Sequence, residues 1–335
     1  MGFYSHLSKE ERIKSYDFIE TFIAKSVVDW KRWNIDFGTD DVEKLFSQEL
    51  VGMSDSDFEF LLLHCGYIPD YYGKDSSEET LYSKLVESMV CEWARRVGFT
   101  DSFLQKQKSN KEDITLVKDG KGIVCDAKSF RLGRSQAAPN VKDTIKKEAY
   151  TTWLSAYDEQ NRIGGLTTFP SMHNWKKGGA AYQYYTEGNP PIMILFYEQM
   201  AYILNEHISA DSIIGFLDRY DEIFPESSKI QDVYWTGLFK YLFVNTETYT
   251  QFAKEAEYYT REKASHTLSV IQSKIDNIEK DVDSMLSDMS IEELQRIARM
   301  SLIESRSREL KEQEKHILDF RPLLIEKEEE SPLLF

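Results

Sequence analysis

Between residues 113 and 128 the sequence changes its period, and that change limits what the chain can fold into. Asp113-Ile114-Thr115-Leu116-Val117 and Gly122-Ile123-Val124-Cys125-Asp126-Ala127-Lys128 are short runs rich in apolar and β-branched residues. They are joined by Lys118-Asp119-Gly120-Lys121, and Asp-Gly between two such runs is the signal of a tight β-hairpin. Ahead of the hairpin, Leu81, Leu85, Met89 and Trp93 recur at every fourth position. That spacing lines one face of a helix over residues 77–97, with Gly98 ending it. After it, Pro190 and Pro191 lead into a short apolar run at 192–197, which reads as a buried strand with a helix following over 200–207. Helix, hairpin, strand and helix point to an α/β core with a central mixed sheet flanked by helices.

The rest of the chain is mostly helical in pattern. Residues 10–30 carry Ile13, Tyr16, Ile19, Phe22 and Ile23 at helical spacing, Thr39 is placed to cap a second helix, and Asp55 and Asp57 follow Ser54 in the first turn of a third. Residues 67–74, with Pro69 and Gly73, read as a loop, and 142–157 as a helix. The stretch 161–191 suggests one strand and a long loop. From 248 to 316 the chain is polar and helical, with Ser290-Ile291-Glu292-Glu293 as a capping box for the last helix. The organisation expected is a helical N-terminal region over 1–75, a core over 76–215, a helical C-terminal region over 216–320 and an acidic tail over 321–335.

Composition removes several function classes. The apolar runs fall far short of the roughly 18 residues a membrane span needs, the first residues lack an apolar signal core, and His6 stands where myristoylation wants Ser or Thr. The three cysteines Cys65, Cys91 and Cys125 form no close pair, so buried thiols in a reducing cytoplasm are expected, with no membrane partner. No nucleophile elbow, phosphate-binding Gly-Lys loop or His-Glu-x-x-His helix occurs, and the acidic stretch 276–283 lacks the central Gly of a calcium loop. The six histidines are scattered. A formal charge of −16 counts against nucleic acid as a partner, since phosphate contacts need cations. Distribution counts for more than the sum. Residues 101–150 hold eleven Lys or Arg against seven Asp or Glu.

The same hairpin holds the residues that can carry chemistry. Side chains alternate along a strand, so Asp126 and Lys128 point to one face while Ala127 points away, with its carbonyl a further candidate ligand. Asp113 opens the partner strand. Two carboxylates and one ammonium suit a Mg²⁺-dependent phosphodiester hydrolase, because Mg²⁺ takes hard oxygen ligands and leaves positions for phosphate. An acid-x-Lys triplet is common, with about five expected by chance in this composition. Asp119-Gly120-Lys121 and Glu309-Leu310-Lys311 also fit it, and a charged hairpin edge is the plain structural alternative. What distinguishes Asp126 is its place inside an apolar run, where a lone charge is costly.

At these residues a resemblance enters. Cys125-Asp126-Ala127-Lys128-Ser129-Phe130-Arg131-Leu132-Gly133-Arg134 resembles the strand and signature loop of the HindIII restriction endonuclease family, within the PD-(D/E)xK nucleases. Leu81-Tyr82-Ser83-Lys84 and Ile194-Leu195-Phe196-Tyr197-Glu198-Gln199-Met200-Ala201 extend the likeness, which covers residues 76–205 best. It implies a homodimeric type II enzyme that cuts both strands of a short palindrome in double-stranded DNA, leaving 5′-phosphate and 3′-hydroxyl ends. A partner methyltransferase would protect the host. Asp113 and Asp126 would hold Mg²⁺ together with the Ala127 carbonyl, and Lys128 would be the catalytic lysine. Glu112 stands where the motif has Pro, and Gln105 where an acid was expected, so Glu87 on the preceding helix is the candidate additional acid. Its plain alternative is a solvated helix residue.

DNA contacts are read from Ser129, Arg131, Arg134, Gln136, Asn140, Lys142 and Lys146 past the site, and from Lys176 and Lys177 beside His173, Asn174 and two glycines. A salt bridge to a nearby acid is an equal alternative for Arg131. Trp175, Tyr182, Tyr184 and Tyr185 read as core or dimer contacts. Two rival readings stand beside the restriction enzyme: a repair-type or non-specific nuclease of the same superfamily, and a DNA-binding scaffold with an inactive core.

Overall fold

The computed structural model describes residues 2–33, 39–74, 76–106, 110–131, 147–171, 190–224, 233–286 and 292–329. Four helices come first: α1 (Lys9–Tyr16), α2 (Phe18–Trp33), α3 (Thr39–Val51) and α4 (Asp55–Leu62). The single helix expected over 10–30 is broken at Asp17, whose N–H closes α1 and whose carboxylate bonds His266 at 2.7 Å. A two-residue strand β1 (Tyr67–Ile68) lies where a plain loop was expected, paired in parallel with β5 (Phe130–Arg131). Two residues are too few to leave a periodic trace in sequence.

The helix α5 (Ser77–Val97) is capped by Ser76, whose hydroxyl accepts from the Glu79 N–H. Its apolar stripe is buried as the fourfold spacing required, with Leu85, Met89 and Trp93 fully covered. Each such side chain contributes on the order of 1.5–3 kcal/mol. After β2 (Phe103–Leu104) come the two hairpin strands β3 (Ile114–Lys118) and β4 (Lys121–Ala127). Asp119 and Gly120 both take positive φ, 51° and 77°, which is what a two-residue hairpin turn demands. The helix α6 (Lys147–Leu154) then leads to β6 (Arg162–Phe169), and β7 (Ile192–Phe196) runs directly into α7 (Tyr197–Asn205). That helix begins three residues earlier than the sequence pattern suggested, straight off the strand.

The sheet order is β2-β3-β4-β6-β7, antiparallel through β4 and parallel from there on. This is the mixed sheet flanked by helices that the sequence led us to expect. Ile114, Cys125, Leu166 and Met193 form one cross-strand row, all buried. Cys125 feels the charge of Glu87 and the thiol of Cys91, so this row faces α5. On the opposite face, Tyr150 of α6 bonds Thr167 at 2.5 Å and fills the space over Gly165. The edge strand β7 is closed by a side chain: the Tyr234 phenol, on α10 (Val233–Tyr241), accepts from Ile194 N–H at 2.7 Å and donates to its carbonyl at 2.8 Å. That satisfies main-chain groups an edge would otherwise leave open.

Between α7 and α10 lie α8 (Ala210–Asp218) and α9 (Tyr220–Ile223). Two long helices, α11 (Thr246–Leu286) and α12 (Glu292–Glu329), pair with each other and bury Ile271, Ile275 and Ile317 beside Tyr67. The first helices are tied to α11 by Arg12–Glu262 at 2.7 Å and by a hydrogen bond from Tyr16 to Glu262 at 2.6 Å, with Lys263–Glu20 at 2.8 Å alongside. The cap expected at Ser290 lies outside the described residues. No helix among the described residues is long and apolar enough to cross a membrane.

Candidate active site

The site forms where the hairpin's open end meets the parallel half of the sheet. The paired register ends at Ile114 opposite Cys125. Asp113 lies just past it: its N–H donates to the Cys125 carbonyl at 3.0 Å, and its Oδ2 accepts from the Ala127 N–H at 3.0 Å. The two carboxyl groups are within hydrogen-bonding reach of each other. Lys128, on the same side of the strand as Asp126, sets its ammonium 2.6 Å from Asp126 Oδ1. Asp113, Asp126 and Lys128, singled out from sequence, therefore converge.

Burial makes this meeting expensive. Asp126 is 8% exposed, and its carboxyl is pushed up to about 7, first by loss of water, then by the neighbouring Asp113, with Lys128 acting in the opposite sense. Two carboxyls held together in a low-dielectric place need a proton or a cation between them. Lys128 supplies one positive charge from one side only. The donor set, two carboxylates with a main-chain carbonyl nearby, is what a hard divalent cation requires. Among the described residues no group of three or more His, Cys, Asp or Glu side chains is arranged to hold a metal. Mg²⁺ commonly uses one or two carboxylates and leaves the remainder to substrate and water, so two acids are enough.

Glu87 is no solvated helix residue. It is buried, with Lys84 Nζ at 2.5 Å, and its charge reaches the Cys125 thiol, which Asp113 and Asp126 also push up. Glu112, read as a departure from the motif, turns out to organise the approach to Asp113. Its buried Oε1 accepts from Gln105 at 2.9 Å, from Thr115 at 2.9 Å and from Tyr157 at 3.0 Å. Gln105, at the position where an acid was expected, is thus the amide partner of an acid. The Glu112/Thr115 spacing and the lone Gln105 were visible in sequence, but nothing local said that they meet.

Arg131 is occupied. Its guanidinium pairs with Glu79 at 3.0 Å and donates to the Asp70 and Tyr72 carbonyls at 3.1 and 2.8 Å, the salt-bridge alternative given for it above. It ties β5 to α5 and to the 69–74 turn. Ser129 lies half-buried beside it, and its hydroxyl has no hydrogen-bond partner among the described residues. Arg134, Gln136, Asn140, Lys142, Lys146, Lys176 and Lys177 lie outside the described residues. All three cysteines are buried and reduced.

Among models of known protein families, that of the HindIII restriction endonuclease matches this chain over residues 26–313. A search of curated proteins returns no match.

Proposed function

The chain belongs to the HindIII restriction endonuclease family, and from that premise we propose that it is a Mg²⁺-dependent enzyme hydrolysing both strands of double-stranded DNA at a short palindromic site. The observation that carries this reading is the contact of Asp113 with Asp126 under the Lys128 ammonium, at the end of a hairpin in a mixed sheet. Asp113, Asp126 and the Ala127 carbonyl would hold the cation, which supplies charge neutralisation at the scissile phosphate and a template for its oxygens.

The chain's own groups do the rest. Lys128 sits beside Asp126 where an attacking water must stand. Its ammonium orients that water by hydrogen bonding and stabilises negative charge as the phosphorus centre becomes more crowded with oxygen. Burial of Asp126 strengthens both effects, because fixed charges act more strongly where water is excluded. Displacement of the 3′ oxygen leaves a 5′-phosphate and a 3′-hydroxyl. A palindrome is cut on both strands most simply by a two-fold homodimer, each copy facing one strand. Host DNA then needs a cognate methyltransferase.

Plasmid DNA incubated with the protein and Mg²⁺ tests this directly. Discrete fragments are expected. A smear would identify a nuclease without sequence preference, and intact plasmid would mean an inactive core. Asp126→Ala should abolish cutting while binding to DNA persists with Ca²⁺ in place of Mg²⁺. Undiminished cleavage by that variant would end the site assignment.

A further inference from the structure

Lys128 stands one residue beyond the end of β4, where the sheet ladder no longer dictates its conformation. Its N–H still donates to the Thr168 carbonyl at 3.1 Å. Its own carbonyl is held by a side chain: the Tyr197 phenol donates to it at 3.1 Å. That phenol in turn accepts from Thr168 Oγ1 at 3.0 Å. The accepted bond matters, because it turns the phenolic hydrogen away from Thr168 and toward Lys128. Thr168 and Tyr197 are both fully buried, so neither hydroxyl has water as an alternative.

The phenol is held in place by the chain around it. Tyr197 is the first residue of α7, immediately after β7. Its ring lies so close to Gly66 that a Cβ there would come within 2.4 Å of it. The Gly66 carbonyl accepts from Phe130 N–H at 3.0 Å, which anchors the chain again two residues past Lys128. A buried phenol needs some partner for its O–H, and a main-chain carbonyl anywhere would serve. This one belongs to the residue whose ammonium meets Asp126.

We propose that Tyr197 is a positioning residue for Lys128, with Thr168 orienting its phenol, so that the peptide leaving β4 is fixed and the ammonium stays on Asp126. The assignment rests on the nuclease reading of that site. It gives a role to the strand-to-helix junction at 194–201, which resembles the family but contains none of the reacting groups.

Tyr197→Phe removes one oxygen and keeps the ring against Gly66. Cleavage of plasmid DNA under single-turnover conditions should slow by about 10- to 100-fold, the scale of a misplaced catalytic group. DNA affinity measured with Ca²⁺ should stay unchanged. Hydrogen exchange should quicken in the peptide covering residues 126–131 and not in β7. Thr168→Val should slow cleavage in the same direction by less, and Thr168→Ser, which keeps the donor, should recover the rate lost in Thr168→Val. If Tyr197→Phe does not fold, the two Thr168 variants decide the matter. A Tyr197→Phe protein that cuts at the wild-type rate, or one that loses affinity but not rate, overturns the proposal. So does a Thr168→Ser protein as slow as Thr168→Val. Should the wild-type protein cut no DNA, the nuclease reading fails by itself. The exchange measurement then decides alone: unchanged exchange at 126–131 refutes the clamp, and faster exchange upholds it.

Discussion

Replacing Asp126 by Asn should abolish cleavage and yet make the metal-free protein more stable at neutral pH. The reason lies in the cost of the buried charge. An aspartate in an unfolded chain titrates near 3.9, whereas in the folded protein burial and Asp113 push Asp126 up to about 7. Below pH ~4 the group is protonated in both states and adds no pH dependence. Between ~4 and ~7 the unfolded chain gives up its proton and the folded chain keeps it, so stability falls as pH rises, levelling off above the folded value. One pKa unit is worth about 1.4 kcal/mol. Integrated from pH 5 to pH 8, Asp126 alone should cost the folded state roughly 2–3 kcal/mol. Asn keeps the shape and carries no charge to desolvate.

Urea denaturation in EDTA at pH 5, 6, 7 and 8, on wild type and Asp126→Asn in parallel, measures the term. Other groups whose titration shifts on folding, such as His64, whose pKa is lowered by burial and by the nearby Lys263 and His266, act equally in both proteins. The difference between the two curves reports what the Asp126 charge adds, its repulsion with Asp113 included. The wild type should lose roughly 2–3 kcal/mol relative to the variant across that window. Added Mg²⁺ should restore wild type only, because ligand bound to the folded state alone stabilises by mass action. Parallel stability curves, with no divergence between pH 5 and 8, would refute the claim that a strained acid pair waits there for a cation.

Two further outcomes follow from the same geometry. Lys128→Ala should slow cleavage by several kcal/mol of barrier, as loss of a preorganised charge typically does, and should raise the Asp126 pKa further by removing an ammonium that lowers it. Single-turnover rates and the pH dependence of Mg²⁺ affinity measure both, and a small rate effect would remove Lys128 from the chemistry. Arg131→Ala should destabilise the fold by about 1–3 kcal/mol, since it strips Glu79 and two main-chain carbonyls of their shared partner. An unchanged urea midpoint together with a large loss of DNA affinity would show that Arg131 serves DNA instead.

What could be read from sequence was whatever repeats or sits within a few residues of itself. The α5 stripe, the Asp-Gly turn and the alternation that sets Asp126 and Lys128 on one face are local, and the hairpin then brings Asp113 to the Asp126 end of β4. What could not be read depends on pairs far apart in the chain. Arg131 finds Glu79 52 positions away, Tyr157 finds Glu112 across 45, and Tyr197 finds the Lys128 carbonyl across 69. Each partner is polar and each is common, so no spacing rule distinguishes it from the many pairs that never meet. The same division explains why Gln105 and Glu112 looked like departures from the motif. An acid-x-Lys pattern names the groups that touch the reaction, and it is silent about the hydrogen bonds that aim them. Those bonds are satisfied in the buried interior beside β3 and β4, where an unmet donor costs more than the bond returns. Aim therefore depends on residues such as Glu112 and Tyr197, and only the folded chain reveals which residues those are.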